Sequence, residues 1–252
     1  MRGTVLVTGG AKRIGREICL RLSEEGFSIA IHYRTSEQEA NQLVGDIESN
    51  GGKAKSLQCD LNDSDSVRGL IHKANESLGT VVGVVNNASF FSFDRIEILT
   101  EELWTEHMRI NAFAPLVLIA ELSKSHQEAS WVVNVLDFKV ESPNADYLSY
   151  TGSRFTMYGL TSALAIDLAP RIRVNSVAPG HVLTSDVLDA DSLKVVQSQS
   201  PLGFGPSAND VSEAVFFLAN SPSITGQTIF VDSGERFRQM EKDPAFDKEG
   251  EN

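Results

Sequence analysis

The 252-residue sequence is poor in cysteine and histidine, the residues that most often build disulfide frameworks and zinc sites. Its two cysteines, Cys19 and Cys59, lie far apart and form no C-x-x-C motif. The histidines are scattered along the chain at His32, His72, His107, His126 and His181. We therefore expect neither a disulfide-stabilised scaffold nor a metal centre. A reducing compartment, the cytoplasm, suits this cysteine content.

Positive charge is also scarce, because 22 lysine and arginine residues stand against 34 aspartate and glutamate residues. The net charge of -12 repels phosphates over most of the surface and argues against a nucleic-acid partner or an anionic membrane. The apolar run at the N-terminus is too short for a signal peptide, and no later run approaches the length of a membrane span. We expect a small-molecule ligand, with any phosphate bound at one local site.

Short runs rich in β-branched residues alternate with longer segments of helical period. This pattern predicts an α/β fold: a Rossmann-like, doubly wound, parallel seven-stranded sheet in three α/β/α layers. The predicted strands are Thr4–Val7, Ser28–Tyr33, Ala54–Gln58, Val81–Val85, Trp131–Val135, Arg173–Val177 and Thr228–Val231. The predicted helices are Ile14–Glu25, Ser36–Ser49, Ser64–Leu78, Glu101–Ser125, Tyr150–Leu168 and Ala208–Ala219. We expect one domain over residues 1–234 and a charged arm or tail over residues 235–252.

The first predicted strand leads into the turn TGGAKRIG, residues 8–15, which then opens a helix. Glycines at such a turn let the backbone approach a pyrophosphate, and the helix N-terminus supplies N–H donors and a positive dipole end. The fit to G-x-G-x-x-G is poor, because Arg13 occupies the slot where a middle glycine is expected. The strand–turn–helix context nevertheless favours a dinucleotide site over a purely structural turn.

The residues about twenty positions beyond these glycines indicate which dinucleotide binds. They are His32, Tyr33, Arg34 and Ser36, in the stretch HYRTS. No acid is present there to bind a ribose 2′-hydroxyl, whereas the Arg34 guanidinium suits a 2′-phosphate, and Lys12 and Arg13 add local positive potential. We therefore predict NADPH/NADP as the cofactor. The alternative is that Arg34 is one more solvated surface charge.

Further candidate site residues follow the later strands, at the edge of the sheet where α/β proteins bind ligands. Asp60 follows the third strand, the stretch NNASFF (86–91) follows the fourth, and Asp137 ends the fifth. Tyr150 and Arg154 come next, four residues apart on one helix and therefore on one face. A cation beside a phenol favours the phenolate, so we expect Arg154 to lower the pKa of Tyr150. An isolated helical tyrosine can equally serve packing alone.

The order of TGGAKRIG, CDL, NNAS, RINAFAPL, YTGSR and VAPG resembles the short-chain dehydrogenase/reductase family over nearly the whole chain. The resemblance implies hydride transfer involving a nicotinamide, with Tyr150 as proton donor and Asn111 holding a relay water. It places Pro179 and Gly180 beside the nicotinamide carboxamide and implies that residues 181–200 close over substrate. It also implies a homotetramer.

The same resemblance implies a set of cofactor contacts along the carboxyl edge of the sheet. These residues are Gly9, Arg13, Ile14, Gly15, His32, Tyr33, Arg34, Ser36, Asp60, Leu61, Asn87, Ala88, Ser89, Tyr150, Arg154, Pro179, Gly180 and Val182. Asp60 is placed to accept a hydrogen bond from an adenine amino group.

Within that family the sequence is similar to the pteridine reductases. The shared features are Arg13 in the glycine turn, the HY-x-x-S end of the second strand, the N-A-S-x-F motif, Asp137 at the usual catalytic serine position, and Tyr147. The resemblance implies that Phe91 stacks on a pterin, that Ser89 bonds near the cofactor, and that Asp137 and Tyr150 deliver protons. The substrate contacts so implied are Ser89, Phe91, Asp137, Tyr147 and Tyr150.

Arg154 departs from the family motif Y-x-x-x-K. Arginine keeps the positive charge and can bind the nicotinamide ribose, but it does not donate a proton at neutral pH. We predict an NADPH-dependent reductase of pterins or dihydrofolate whose catalytic residues are Asp137, Tyr150, Arg154 and Asn111. The alternatives are a carbonyl or 3-oxoacyl reductase of the same family and a non-catalytic NADPH-binding regulator.

Overall fold

The computed structural model describes residues 2–125, 129–184 and 188–238 of the chain. Its strands are β1 (Thr4–Val7), β2 (Ser28–Tyr33), β3 (Ala54–Gln58), β4 (Val81–Asn86), β5 (Ser130–Val135), β6 (Ile172–Pro179) and β7 (Thr228–Val231). They form one seven-stranded sheet in the order β3-β2-β1-β4-β5-β6-β7, with every neighbouring pair parallel. The predicted seven-stranded parallel sheet is therefore confirmed.

The α-helices of the described residues are α1 (Arg13–Glu24), α2 (Glu37–Ser49), α3 (Ser64–Arg68), α4 (Leu70–Leu78), α5 (Glu101–Met108), α6 (Ala114–Ser125), α7 (Leu148–Leu168), α8 (Ala190–Ser198) and α9 (Ala208–Ala219). One core packs α1, α2 and α9 against the sheet, and includes Ile18, Leu43 and Val215. A second core packs α4 and α6 against the opposite face, and includes Ile71 and Leu118. The three-layer α/β/α prediction is confirmed.

The strands are buried because helices cover both faces of the sheet. β1, β2 and β5 are buried along their whole length, which explains their near-continuous runs of apolar, β-branched residues. β1 pairs with β2 on one side and with β4 on the other, so the chain reverses its winding direction beside β1. Ligands of open α/β sheets bind at such a reversal, outside the carboxyl ends of the strands.

Three local features differ from the predicted helices. The predicted helix Ser64–Leu78 is divided at Gly69 into α3 and α4. The predicted helix Glu101–Ser125 contains a π-helical turn over Arg109–Phe113, which joins α5 to α6 and contains Asn111. The helix α8 was not predicted. Such π-helical turns occur often at functional sites.

The chain beyond β7 continues as a short 3-10 helix, Glu235–Phe237, in which Glu235 is buried. The rest of the expected C-terminal arm, from residue 239, lies outside the described residues. Cys19 and Cys59 are free and buried. None of the described helices combines the length and apolar character needed to cross a bilayer.

Candidate active site

A cleft of about 810 Å³ lies at the carboxyl edge of the sheet, where β1 to β6 end. Most residues expected at the site line it: Gly9, Arg13, Ile14, Gly15, His32, Arg34, Asp60, Leu61, Asn87, Ala88, Ser89, Phe91, Asp137, Tyr147, Tyr150, Arg154, Pro179, Gly180 and Val182. Tyr33, Ser36 and Asn111 are not among the lining residues. The tertiary structure thus brings seven separate chain segments to one cleft.

The glycine turn forms one end of the cleft. Gly9 has φ +60, and Arg13, with φ 57, also adopts the left-handed conformation although it carries a side chain. A Cβ on Gly15 would lie 2.2 Å from the carbonyl oxygen of Gly9, so only glycine allows this close approach. Lys12 pairs with Glu39 at 2.5 Å, which neutralises the charge expected to assist Arg13. The turn opens α1 and presents its N-terminus to the cleft.

The buried His32 side chain supports that turn through hydrogen bonds at both of its ring nitrogens. The Gly9 N–H donates to His32 Nδ1 at 3.0 Å, and His32 Nε2 donates to the Cys59 carbonyl at 3.0 Å. Burial lowers the pKa of His32 to about 4, against the opposing effects of the Cys59 carbonyl and Asp60. The neutral imidazole therefore links the ends of β1, β2 and β3, and its role here is to hold the glycine turn in place.

Two neighbours of His32 do not reach the cleft. Tyr33 packs into the core that contains α1 and α2, since adjacent side chains on a strand point to opposite faces. Ser36 stands immediately before α2. Arg34, which follows the strand, lines the cleft and is exposed. Of the residues expected at the 2′-phosphate, Arg13 and Arg34 are therefore brought together in one cleft.

The loop after β4 is tied to the end of β1. Asn87 Nδ2 donates to the carbonyls of Thr8 and Gly9 at 3.0 and 3.1 Å, and Thr8 Oγ1 accepts from the N–H groups of Asn87 and Ala88. These bonds fix Ala88 and the exposed Ser89 beside the glycine turn. The second asparagine of the NNAS motif thus has a local structural role, because the Asn87 side-chain amide pairs with the carbonyls of Thr8 and Gly9 at the end of β1.

Asp137 and Tyr150 form the chemical centre of the site. The Tyr150 hydroxyl donates to Asp137 Oδ2 at 2.8 Å, and Asp137 Oδ1 accepts from the Lys139 N–H at 2.9 Å. Arg154 lies one turn further along α7, with its guanidinium carbon 5.1 Å from the centre of the Tyr150 ring. Its Nη1 donates to the Val135 carbonyl at 3.3 Å. The predicted grouping of Tyr150, Arg154 and Asp137 is therefore present in the structure.

The expected direction of the Tyr150 pKa is wrong. Burial and the charge of Asp137 raise the pKa of Tyr150 above its ordinary value, and the nearby Arg154 only partly opposes them. Desolvation disfavours the phenolate more than one cation stabilises it. In this structure Tyr150 is therefore a protonated hydroxyl hydrogen-bonded to a carboxylate, which is the form that a proton donor needs before reaction.

Asn111 lies behind the cleft wall. Its Oδ1 accepts from the Phe90 N–H at 2.7 Å, and its Nδ2 donates to the Phe90 carbonyl at 2.8 Å and to Ser153 Oγ at 3.0 Å. Ser153 Oγ in turn donates to the Tyr150 carbonyl at 2.6 Å. The Asn111 side chain therefore fastens the β4 loop to α7, and its expected contact with a relay water stays a prediction.

Aromatic side chains line the cleft beside Tyr150. The Phe91 ring stacks on the Tyr147 ring with centroids 4.2 Å apart, and meets the Tyr150 ring edge to face at 4.8 Å. Phe91 is still 45% exposed, whereas Tyr147 is buried. The Phe91 ring is therefore partly accessible from the cleft and lies close to the Tyr150 ring.

Two cleft residues with ionisable side chains were not named individually as site residues from the sequence, which placed His181 only at the start of the segment 181–200 expected to close over substrate. Lys139 is buried two positions after Asp137, with its ammonium 5.2 Å from the centre of the Tyr147 ring. His181 follows Gly180, and its Nδ1 lies 2.5 Å from Oε1 of the buried Glu235. The position of His181 directly after the VAPG motif indicated that this residue lies near the site. Its partner Glu235 is 54 residues away in sequence, so the motif could not identify the pair.

The fold and the cleft together define an α/β protein of the dinucleotide-binding type, in which a tyrosine hydroxyl is hydrogen-bonded to a carboxylate inside the cleft. A family model described as enoyl-(acyl carrier protein) reductase matches residues 9–235. The 3-oxoacyl-(acyl-carrier-protein) reductase FabG of Staphylococcus aureus is 31% identical over 242 residues, covering 93% of this chain and 98% of the relative. The chain therefore belongs to the short-chain dehydrogenase/reductase family, as its motifs predicted.

Solved structures agree with this assignment. FolM alternative dihydrofolate reductase 1 from Brucella canis, complexed with NADP, has a TM-score of 0.91 and 36% identity, with 94% of this chain and 95% of that chain covered. A blue fluorescent protein from a metagenomic library, in complex with NADPH, has a TM-score of 0.84 and 31% identity, with 92% and 97% covered. Both complexes agree with the predicted NADP(H) cofactor.

Proposed function

We propose that the protein is an NADPH-dependent reductase of pterins or dihydrofolate. The observation that carries the proposal is the accessible Phe91 ring, 4.8 Å from the Tyr150 ring, whose hydroxyl is bonded to Asp137. A flat heterocycle stacked on Phe91 lies beside a proton donor and a carboxylate that can also bind an amino substituent of the ring.

The cleft fits NADP(H) at three places. The glycine turn, which Gly15 lets pack closely because a Cβ there would lie 2.2 Å from the Gly9 carbonyl oxygen, presents the N-terminus of α1 to a pyrophosphate. Arg13 and Arg34 supply the charge for a 2′-phosphate. The buried Arg154 Nε has no hydrogen-bond partner within the described residues, which leaves a donor for the nicotinamide ribose. The cofactor supplies the hydride.

The protein's own residues supply the proton. Tyr150, held protonated by burial, donates from its hydroxyl, and Asp137 orients that hydroxyl and stands behind it as a second proton site. Arg154 contributes a fixed positive charge beside the phenol and does not itself transfer a proton. Asn111 and Ser153 position Tyr150 by fastening α7 to the β4 loop.

Two alternatives carry specific support. The likeness to the S. aureus FabG favours a carbonyl or 3-oxoacyl reductase, although such a substrate needs neither Phe91 nor Asp137. The arginine at position 154 favours an NADPH-binding regulator that has lost its proton relay. Against both alternatives, the 36% identity to the FolM alternative dihydrofolate reductase of Brucella canis supports the proposed pterin or dihydrofolate substrate.

We also propose a homotetramer. Phe155 and Ile166 are exposed on α7, with Ile166 81% exposed, and Phe217 is exposed on α9. Exposed large apolar side chains on two helices suit burial against further copies of the chain. Light scattering coupled to size-exclusion chromatography tests the assembly. The two free, buried cysteines suit a reducing compartment such as the cytoplasm.

NADPH oxidation measured against a substrate panel tests the proposed function. The panel contains dihydrobiopterin, dihydrofolate, simple ketones and a 3-oxoacyl thioester, and Tyr150→Phe is the matched variant that should bind NADPH without turnover. Turnover of the pterin or folate substrates supports the proposal. Turnover of only the ketones or thioester contradicts it in favour of a carbonyl reductase, and tight NADPH binding without any turnover contradicts it in favour of a regulator.

A further inference from the structure

We propose that Asp94 is a positioning residue that joins the substrate-binding loop to the N-terminus of the catalytic helix α7. Asp94 is fully buried and is 55 residues away in sequence from the helix that it contacts. The proposal rests on the proposed stacking of a flat substrate on Phe91, which the same loop carries. Neither the cofactor-binding turn nor the Asp137–Tyr150 pair accounts for a carboxylate at this position.

Asp94 satisfies the first free N–H groups of α7. Its backbone carbonyl accepts from the N–H groups of Tyr147 and Leu148 at 2.9 and 3.4 Å. Its carboxylate accepts from the Ser149 N–H, with oxygens at 3.0 and 3.2 Å, and from the Ser149 hydroxyl. The helix has no side-chain cap from its own N-cap residue, Tyr147, so the cap comes from a distant loop. A negative charge at this end of a helix also complements its dipole.

The other end of this connection is the loop that contains Phe91. Asn111 holds the backbone of Phe90 on one side of Phe91, and the Ser92 N–H donates to His107 Nε2 at 3.3 Å on the other side. Asp94 adds a third anchor two residues further on. Because Phe91 stands between anchored residues, its ring direction depends on where these anchors hold the loop.

The helix side of the connection carries the reacting groups. Tyr147, the residue bonded through its N–H to Asp94, has φ 60 and stacks on Phe91, and Tyr150 lies in the first turn of α7. Arg95, next to Asp94, donates to the buried Asp146 at 2.6 Å, just before the helix begins. Asp94 and Arg95 thus clamp residues 146–149 to the loop and set the distance between the Phe91 ring and the Tyr150 hydroxyl.

The test compares Asp94→Ala with Asp94→Asn and with a control variant that removes the N-terminal cap of another helix. Asp94→Ala should lower kcat/KM for dihydrobiopterin roughly 10- to 100-fold, mainly by raising KM, because losing a buried bond to a charged group displaces the stacking ring. The Kd for NADPH should stay within about twofold, since the glycine turn is untouched. Asp94→Asn keeps an acceptor for the Ser149 N–H and should restore most of the activity.

The control is Asp63→Ala, which removes a carboxylate cap from α3, a helix that contributes no residue to the described lining of the cleft. It should leave KM unchanged. Equal kinetics in Asp94→Ala and Asp63→Ala overturn the proposal. So does a loss of NADPH affinity in Asp94→Ala that parallels the loss of kcat/KM, because that result indicates general unfolding.

Amide hydrogen exchange tests the clamp without a substrate, so that it can be judged even if the wild type reduces no pterin and the proposed function fails. In Asp94→Ala the amides of Ser149, Phe90 and Ser92 should all exchange roughly 10-fold faster or more, because loop and helix loosen together. Faster exchange at Ser149 alone overturns the proposal, since it indicates a helix cap with no connection to the loop. Ser149→Ala, which keeps the Ser149 N–H bond, should show a smaller change at the same sites.

Discussion

Acidification from pH 7 to pH 5 should destabilise the protein through His32. The imidazole is 2% exposed, accepts a bond from the Gly9 N–H and donates one to the Cys59 carbonyl. Burial lowers its pKa from 6.5 to about 4, so the folded protein keeps it neutral where the unfolded chain takes up a proton. The stability it contributes is therefore fully present above pH 6.5 and is lost as pH falls towards 4.

The magnitude follows from the two pKa values. Each unit of difference corresponds to about 1.36 kcal/mol, so the full loss by pH 4 is about 3 kcal/mol, and the loss between pH 7 and pH 5 is about 2 kcal/mol. Such a change is a large fraction of the stability of an ordinary domain. Protonation of His32 in the folded protein removes the acceptor for the Gly9 N–H, so the glycine turn should loosen only as pH falls to about 4.

Urea unfolding at pH 7 and at pH 5 measures this effect. Carboxylates also lose stability in acid, so the informative quantity is the difference between wild type and His32→Gln, which cannot take up the proton. The variant should be less stable at pH 7 yet lose about 2 kcal/mol less than wild type on acidification. His72→Gln, at an exposed histidine, should behave as wild type. Equal losses in wild type and His32→Gln would refute the reasoning.

Three further predictions concern the cofactor and substrate. Arg34→Asp should weaken NADPH binding by about 2–4 kcal/mol and NADH binding far less, whereas Arg68→Asp on the surface should weaken neither; equal losses for both cofactors contradict the 2′-phosphate assignment. Phe91→Ala should raise KM for a pterin roughly 2- to 10-fold with NADPH affinity unchanged, relative to the exposed control Phe204→Ala; lower thermal stability with unchanged kinetics contradicts stacking. Arg154→Lys should retain or raise turnover and Arg154→Ala should lose both turnover and NADPH affinity; wild-type behaviour of Arg154→Ala in both assays contradicts its role.

Much of the fold was predictable because it depends on local patterns. The alternation of β-branched runs with helical periods predicted each of the seven strands to within a few residues and the layers around them. Likewise, Tyr150 and Arg154 were expected on one face because they are four residues apart on a helix, and both line the cleft. Parallel strands all end at one edge, so residues that follow them meet without any further information.

Two other features could not be predicted from the sequence: the face of the sheet to which a strand residue points, and the extent to which a side chain is shielded from solvent. Tyr33 follows His32 directly, yet only His32 faces the cleft, because the strand alternates its side chains between two buried layers that look alike in sequence. The pKa of Tyr150 was predicted in the wrong direction because spacing reveals a neighbouring charge but not the loss of solvent around it.

The sequence by itself determined the sheet, the glycine turn and the family, since these follow from residue order and period. Only the tertiary structure decided the contacts between residues distant in the chain. Asp94 caps a helix 55 residues away, and His181 pairs with Glu235 across 54 residues. Neither carboxylate stands in a recognisable motif. A buried charge needs a partner, but its identity depends on the packing of the whole chain, because the loops that carry the charge meet only after the sheet has formed.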